Sequence, residues 1–372
     1  MSAETPNNTP ENPENPDNPA ESPLRSIHTS NFPQILSQLG ISLAVTTYQA
    51  GKIIIVRADG ENLNTHFRVF KKPMGMAMTG NQLSLGSGPQ IINFRNMPNV
   101  AQKLDPPDKH DACYLPYSTH ITGDIDIHEM AYGEDGLWFV NTRFSCLCTL
   151  DRQHSFVPRW RPAYVTALAP EDRCHLNGLA MVDGKPKYVT ALGETDMAGG
   201  WRQNKVNGGV LMDVESKEVL LRGLSMPHSP RRYGDRTWLL ESGYGSISQV
   251  DLNNGSTEMI AQMPGFTRGL DFCGNLAFIG LSQVRETAVF SGVPITEKAS
   301  ERNSGVWVVN LTTGQIVAFL KFEDMIQEVF AVQVLPQIKF PEIIDHNDDL
   351  LASSYFLPPD ALSDVPKRLI SS

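Results

Sequence analysis

Three histidines stand at comparable places in a repeated segment of this chain. "HEMAYGEDGLWFVN" opens on His128 and "HSPRRYGDRTWLLES" opens on His228. "CHLNGLAMVDGKPKYVTAL" carries His175 two residues ahead of Asn177. A neutral imidazole is a ligand for zinc, iron or copper. Arg268 could hold an anionic group or stabilise developing negative charge. Asp126 and Glu328 could act as base or as additional ligand. Three imidazoles around one divalent transition metal, with a position left open, would be a catalytic rather than a closed structural arrangement. Such a metal lowers the pKa of bound water or polarises a carbonyl.

These residues can meet only if the elements that carry them converge. Each lies in one copy of a template: a polar residue, a glycine or its equivalent, an apolar strand, a tight turn, and a second strand. Copies begin near "MGMAMTGNQLSLG", "HEMAYGEDGLWFVN", "NGLAMVDGKPKYVTAL", "HSPRRYGDRTWLLES", "RGLDFCGNLAFIG" and "FAVQVLP", about 40–60 residues apart, the length of one four-stranded propeller blade. Third strands follow, such as "QIINFRN" and "GVWVVNLTTG", and fourth strands such as "KEVLLRG" and "QIVAFLKF". These runs are β-branched, alternating and bounded by turn residues. The pattern predicts an all-β fold, a six-bladed β-propeller over residues 27–360. The sixth template has too little chain after it for a blade. "SLAVTTYQ", "KIIIVRAD" and "HFRVF" precede any template. They read as the second to fourth strands of a blade whose inner strand comes from residues 328–336, so the ring closes and its free edges disappear. "NFPQILSQLG" reads as a short N-terminal helix, capped by Asn31, with Pro33 in its first turn and Gly40 as terminator.

With Gly178 as origin, the position one before it holds Met74, His128, Asn177, His228, Arg268 and Phe330. Three before it stand Lys72, Asp126, His175, Met226, Phe266 and Glu328. Strand alternation predicts that both sets share the channel face, one layer apart. The first-to-second-strand turns are short. Long insertions at 99–125, 193–207 and 282–304 are expected together on the opposite face, where sites are usually built. Trp201, Arg202 and Arg285 on those insertions are candidates for gripping a small-molecule or peptide ligand. Three readings of the polar ring stand open: a metal site, a metal-free ligand pocket, and a water-filled structural channel.

Composition narrows the partners. Net charge is -10 and hydrophobic residues make up 41%, and no run of Lys and Arg forms a basic patch. Nucleic acid and anionic membrane are disfavoured. Five cysteines, an odd number without a CxxC spacing, predict a reducing, cytoplasmic location. Cys146 and Cys148 read as small core residues. Residues 1–26, with "ENPENPDNP", bury too little to order and read as a disordered tail without signal-peptide character. Residues 361–372 read as a C-terminal tail.

"TTYQAGKIIIV", "KPMGMAM", "CHLNGLA", "MPHSPR" and "GFTRGL" resemble a bacterial family of uncharacterised propellers, over about residues 30–360. "NGLA" is similar to the inner-strand motif of gluconolactonase and strictosidine-synthase-like propellers. In gluconolactonases a ring of carboxylates and amides binds a divalent metal. That resemblance implies an amide role for Asn177, with His128 and His228 standing where the set would use Asn, Asp or Glu, which implies a softer metal. The amidating lyase propeller is similar in holding zinc with histidines from different blades. The function expected is a metal-dependent hydrolase or lyase acting on a small polar substrate, or alternatively a non-catalytic ligand- or peptide-binding module.

Overall fold

Short β-branched runs broken by Gly, Asn and Asp turns pair with their sequence neighbours, because adjacent antiparallel strands need only a tight turn. In the computed structural model, which describes residues 25–283, 292–298, 303–323, 325–346 and 349–366, these runs form six antiparallel sheets. The sheets are the blades of a β-propeller. The inner strands are Pro73–Thr79, Ile127–Gly133, Leu176–Val182, Pro227–Tyr233, Phe266–Cys273 and Ala331–Pro336. Each packs on the inner strand of the next blade, and the last packs on the first.

Closure follows the sequence pattern. Ala331–Pro336 pairs antiparallel with Ile41–Thr47, joining Ile41 to Pro336 and Thr46 to Ala331. Lys52–Asp59 and Asn62–Val69 complete that blade. We call it the first and number the others in chain order. The chain adds an outer strand twice. Ser26–His28 pairs with the fourth strand of the sixth blade, Ser26 opposite Phe322. Pro341–Ile343 runs parallel to Ala112–Ile121 on the second. This second strap is fastened by its buried Glu342, which lies 2.7 Å from His66 Nε2 and 3.4 Å from Arg68. Burial alone would raise the Glu342 carboxyl; His66, Arg68 and Arg57 outweigh it and hold the group below its usual range.

Cores lie between blades. Phe32 and Leu36 of the helix Phe32–Leu39 enter a cluster with Phe278, Leu320, Ile54 and Val334, so the helix seals the junction of the first and sixth blades. Gly40 ends it in a left-handed conformation, φ 65°, which glycine adopts without a Cβ penalty. Asn31 departs from expectation. Its side chain makes no capping bond and instead donates to Val317 O at 2.9 Å, because the helix start faces the sixth blade rather than solvent. The five cysteines are free, and Cys146 and Cys148 are buried on one strand with Sγ atoms 3.5 Å apart.

Two further expectations shift. Residues 99–125 are not one insertion. They contain the fourth strand Ala112–Ile121 of the second blade, preceded by the helical turn Pro98–Ala101. The connection 97–111 therefore joins third to fourth strand, on the face opposite the other two insertions. Pro116, opposite Phe94 where the register slips, masked the strand pattern. Of the tail expected over 1–26, residues 1–24 lie outside the described residues, whereas Ser26 is strand. At the other end Pro359–Leu362 is a helical turn, and 367–372 lie outside the described residues. No helix among the described residues is long and apolar enough to cross a membrane.

Truncation before Glu328 removes the strand that closes the ring and leaves the edge of Ile41–Thr47 unpaired. The fragment is expected to lose its cooperative thermal transition in circular dichroism. A soluble fragment that melts as sharply as the full chain would show that closure lies elsewhere.

Candidate functional site

The channel mouth is shaped by two backbone devices that recur from blade to blade. Immediately ahead of four inner strands the chain turns left-handed, at Lys72 (φ 50°), Asp126 (φ 53°), His175 (φ 51°) and Met226 (φ 49°). Such conformations are sparsely populated by residues other than glycine. The pairing register then slips within five inner strands, between Pro73 and Met76, Ile127 and Met130, Leu176 and Gly178, His228 and Arg231, and Thr267 and Leu270. A bulge re-aims the side chain it carries. The two polar sets are therefore not layered by strand alternation as the sequence predicts. The outer set sits in the turn before the strand, where alternation does not reach.

The bulged set converges. His128, Asn177, His228, Arg268 and Phe330 border one narrow cavity with Glu129, Ser229, Gly269 and Ala331. Its space for a water-sized sphere is about 10 Å³, enough for roughly one water. His128 and His228 are held alike. His128 Nδ1 lies 3.0 Å from Asp126 O and 2.8 Å from Thr142 Oγ1, while the Thr142 hydroxyl donates to Leu176 O at 2.6 Å. His228 Nδ1 lies 3.0 Å from Met226 O and 2.8 Å from Ser242 Oγ, whose hydroxyl donates to Thr267 O at 2.6 Å. A carbonyl only accepts, so Nδ1 carries the proton in both rings. A neutral ring then presents a bare Nε2. In His128 that Nε2 is buried and has no hydrogen-bond partner among the described residues. Burial and then the charge of Arg268 hold both imidazoles well below their ordinary pKa, so they are neutral.

Arg268 supplies the positive charge. Its guanidinium lies 3.8 Å over the Phe330 ring. Burial lowers its pKa to about 10, and Glu328 is the anion that opposes this most. No carboxylate of the described residues forms an ion pair with it. Below the cavity, Arg231 Nη2 meets Glu129 at 2.6 Å. Asp271 accepts from Val334 N at 2.7 Å and from Gln333 at 2.8 Å. Burial raises the Asp271 carboxyl. These buried and half-buried polar groups floor the channel.

The other candidates are placed differently. His175 does not border the cavity; its ring meets His128 edge-on at 4.8 Å and packs 4.5 Å from Trp201. Asp172 fixes it, with Oδ1 at 2.9 Å from Nδ1. Asp172 also accepts from Trp201 Nε1 at 2.8 Å and lies 3.4 Å from Arg202. Trp201 is 3% exposed; its indole closes over His175 and is not a free loop aromatic. Arg202 lies 4.3 Å from the Trp201 ring. Asn177 is engaged on both sides, donating to Pro227 O at 3.0 Å and accepting from Thr190 at 2.7 Å; its amide ties two blades. Asp126 faces Lys72 at 2.5 Å and Arg143 at 3.5 Å, so its carboxylate turns from the imidazoles. Arg285 lies outside the described residues. Among the described residues no group of three His, Cys, Asp or Glu side chains is placed to hold a metal ion.

The sequence reading passed over Thr142, Ser242, Asp172 and Ser229. A signal existed for two of them: Thr142 and Ser242 each stand 14 residues after the histidine they bind, at the end of the second strand.

A family described as a domain of unknown function (DUF4915) matches residues 30–344. No curated protein matches the sequence. Among solved structures the fold is similar to a chain of a nidogen/laminin complex, at 10% identity and TM-score 0.51, covering 80% of this chain and 99% of that one. A Bacteroides caccae protein of unknown function is also similar, at 10% identity and TM-score 0.48, covering 79% and 98%. These likenesses concern the fold.

The neutral imidazoles set a pH dependence. The unfolded chain protonates its histidines near 6.5, whereas the folded pKa of His128 and His228 is lower. The unfolded state therefore binds more protons below pH 6.5, and stability falls as pH drops, by about 1.4 kcal/mol per pH unit for each ring. Urea denaturation between pH 7.5 and 5.5 measures this slope, and His228→Gln is expected to halve it. A slope unchanged in that variant counts against a buried neutral ring. Thr142→Val removes the hydroxyl without changing side-chain shape. It leaves the Leu176 carbonyl without that donor, with an expected loss of about 1–3 kcal/mol in the same assay.

Proposed function

From the premise that this chain belongs to the DUF4915 family, a β-propeller of unknown function, we propose that it binds a small anionic molecule at the channel mouth, one that also carries a hydrogen-bond donor. The observation that carries this reading is a complementary pair of unsatisfied groups on one cavity. Arg268 is a largely desolvated cation with no ion-pair partner among the described residues. His128 Nε2 is a buried acceptor with no donor among the described residues. Leaving either unmatched is unfavourable, and a hydroxy- or amino-carboxylate supplies both missing partners; with space for about one water in the cavity, only its polar head enters and the rest lies at the mouth. His228 and Phe330 complete the walls. The expected cytoplasmic location accords with five free cysteines and belongs to the same proposal.

A second reading, a metal-dependent hydrolase or lyase, rests on the shared tautomer. All three imidazoles engage an acceptor through Nδ1, as metal-binding histidines do. Zinc, iron or copper would take His128, His175 and His228. Against it stand the Arg268 charge acting on His128 and His228 and the absence of a three-ligand group among the described residues.

Thermal-shift and calorimetric titration with glycolate, lactate and related small carboxylates test the first reading. Binding is expected, and Arg268→Gln is expected to weaken it about 10–100-fold, the worth of a charge-assisted hydrogen bond. A panel without any binder overturns the anion reading. Mass-spectrometric metal analysis after reconstitution tests the second; about one ion per chain, lost in His228→Ala, would replace the first reading with it.

A further inference from the structure

We propose that Ser229 is a nucleophile, activated by His128, and that the channel mouth carries acyl transfer on small carboxylic esters. The inference deepens the anion-binding reading and rests on it, since Arg268 would face the charge that develops.

Ser229 has an unusual backbone for its residue type. Its φ is 48°, in the left-handed region. The same repeat position in the sixth blade is Gly269, φ 79°, where an added Cβ would meet Ala331 within 2.9 Å. In the fifth and sixth blades this position is left-handed, whereas Gly75 and Gly178 at the same position of the second and fourth are not, and glycine is the unstrained choice for it. A serine held there is strained in the manner of residues kept for function. Ser229 is 5% exposed and borders the same small cavity as His128, His228 and Arg268. Its hydroxyl makes no hydrogen bond to any described residue, whereas Thr142, Ser242 and Ser282 are each bonded to a carbonyl of the next blade; Ser225 Oγ is also buried without a partner among the described residues but does not border the cavity. Across the cavity stands the bare Nε2 of His128, pinned by its Nδ1–H to Asp126 O and Thr142 Oγ1. Among the described residues, a hydroxyl without a partner, a proton acceptor without a donor and a guanidinium without an ion pair share one cavity. Nucleophile, oriented base and anion stabiliser are the groups acyl transfer requires.

The step balances with water as the only co-reactant. Ser229 Oγ bonds to the acyl carbon and its proton passes to His128 Nε2; the oxyanion formed in the same step offsets the charge on that ring, which Arg268 otherwise opposes. The carbon–oxygen bond to the alcohol breaks, and the alcohol leaves with that proton. Water, deprotonated by the same nitrogen, attacks the acyl-serine. The carboxylic acid departs and Ser229 regains its proton. Arg268 donates to the oxyanion at each addition.

The test uses two small probes on the full-length protein: p-nitrophenyl acetate for turnover and methanesulfonyl fluoride as a trap. Wild type is expected to release nitrophenolate with an initial burst approaching one equivalent, and peptide mass spectrometry to find the sulfonyl group on Ser229. Ser229→Gly suits the left-handed backbone, so it is expected to keep or raise the melting temperature and to retain carboxylate binding while losing both burst and label. His128→Gln is expected to slow labelling at least tenfold. Absence of burst and label in wild type, a label on another residue, or a label that survives Ser229→Gly overturns the nucleophile. Carboxylate binding that persists alongside such a result leaves the anion-binding reading standing, so the two failures are told apart. Labelling of Ser229 without carboxylate binding would instead overturn that reading alone.

Discussion

Each blade ends its second strand close to the inner strand of the next, and at most junctions a side chain there closes the gap with a hydrogen bond to a buried carbonyl. Thr46 donates to Met74 O at 2.7 Å, Thr142 to Leu176 O, Ser242 to Thr267 O, and Ser282 to Val329 O at 2.9 Å. Between the fourth and fifth blades Thr190 reaches across through Asn177, whose amide donates to Pro227 O. The junction of second and third blades uses close approach instead, since a Cβ on Gly75 would lie 2.9 Å from His128 O. A buried carbonyl left without a donor is costly. These bonds therefore set both the spacing of the blades and the width of the channel.

The same hydroxyls decide the chemistry of the mouth. Thr142 and Ser242 give their protons to the next blade, so their oxygens are free to accept from His128 and His228. A bond made for blade packing thus selects the Nδ1–H tautomer and leaves Nε2 bare toward the cavity. Arg268 reinforces the choice, because a cation beside a buried imidazole disfavours a second positive charge. Packing, tautomer and electrostatics meet in one ring of residues.

The insertion loop 193–207 covers part of the site. Its Trp201 lies on His175, and its indole N–H shares Asp172 with that ring. Asp172 is held ionised because His175, Trp201 and Arg202 outweigh the effect of burial. Far from the mouth, Glu342 and its basic neighbours bind the C-terminal strap across two blades. The ring is thus fastened both inside and outside.

The blade count, the closing strand, the strand order and the convergence of His128, His228 and Arg268 were legible in the sequence, because β-branched alternation and turn residues are local and the template repeats them. Copies of one local pattern placed at one radius must present equivalent positions to one axis. What each side chain does on arrival was decided only by the tertiary structure. Asn177 and His128 share a template position, yet one ties blades together and the other is left with a bare nitrogen. The difference lies in the partners offered by the next blade. His175 was read as a channel residue but is turned toward Asp172 and Trp201, because left-handed backbone precedes its strand. Ser229 stands at the template's glycine position, yet nothing in the sequence marked its hydroxyl. Its strain, and a hydroxyl without a partner among the described residues, arise only where a bulge, a neighbouring blade and a narrow cavity come together, far apart in sequence.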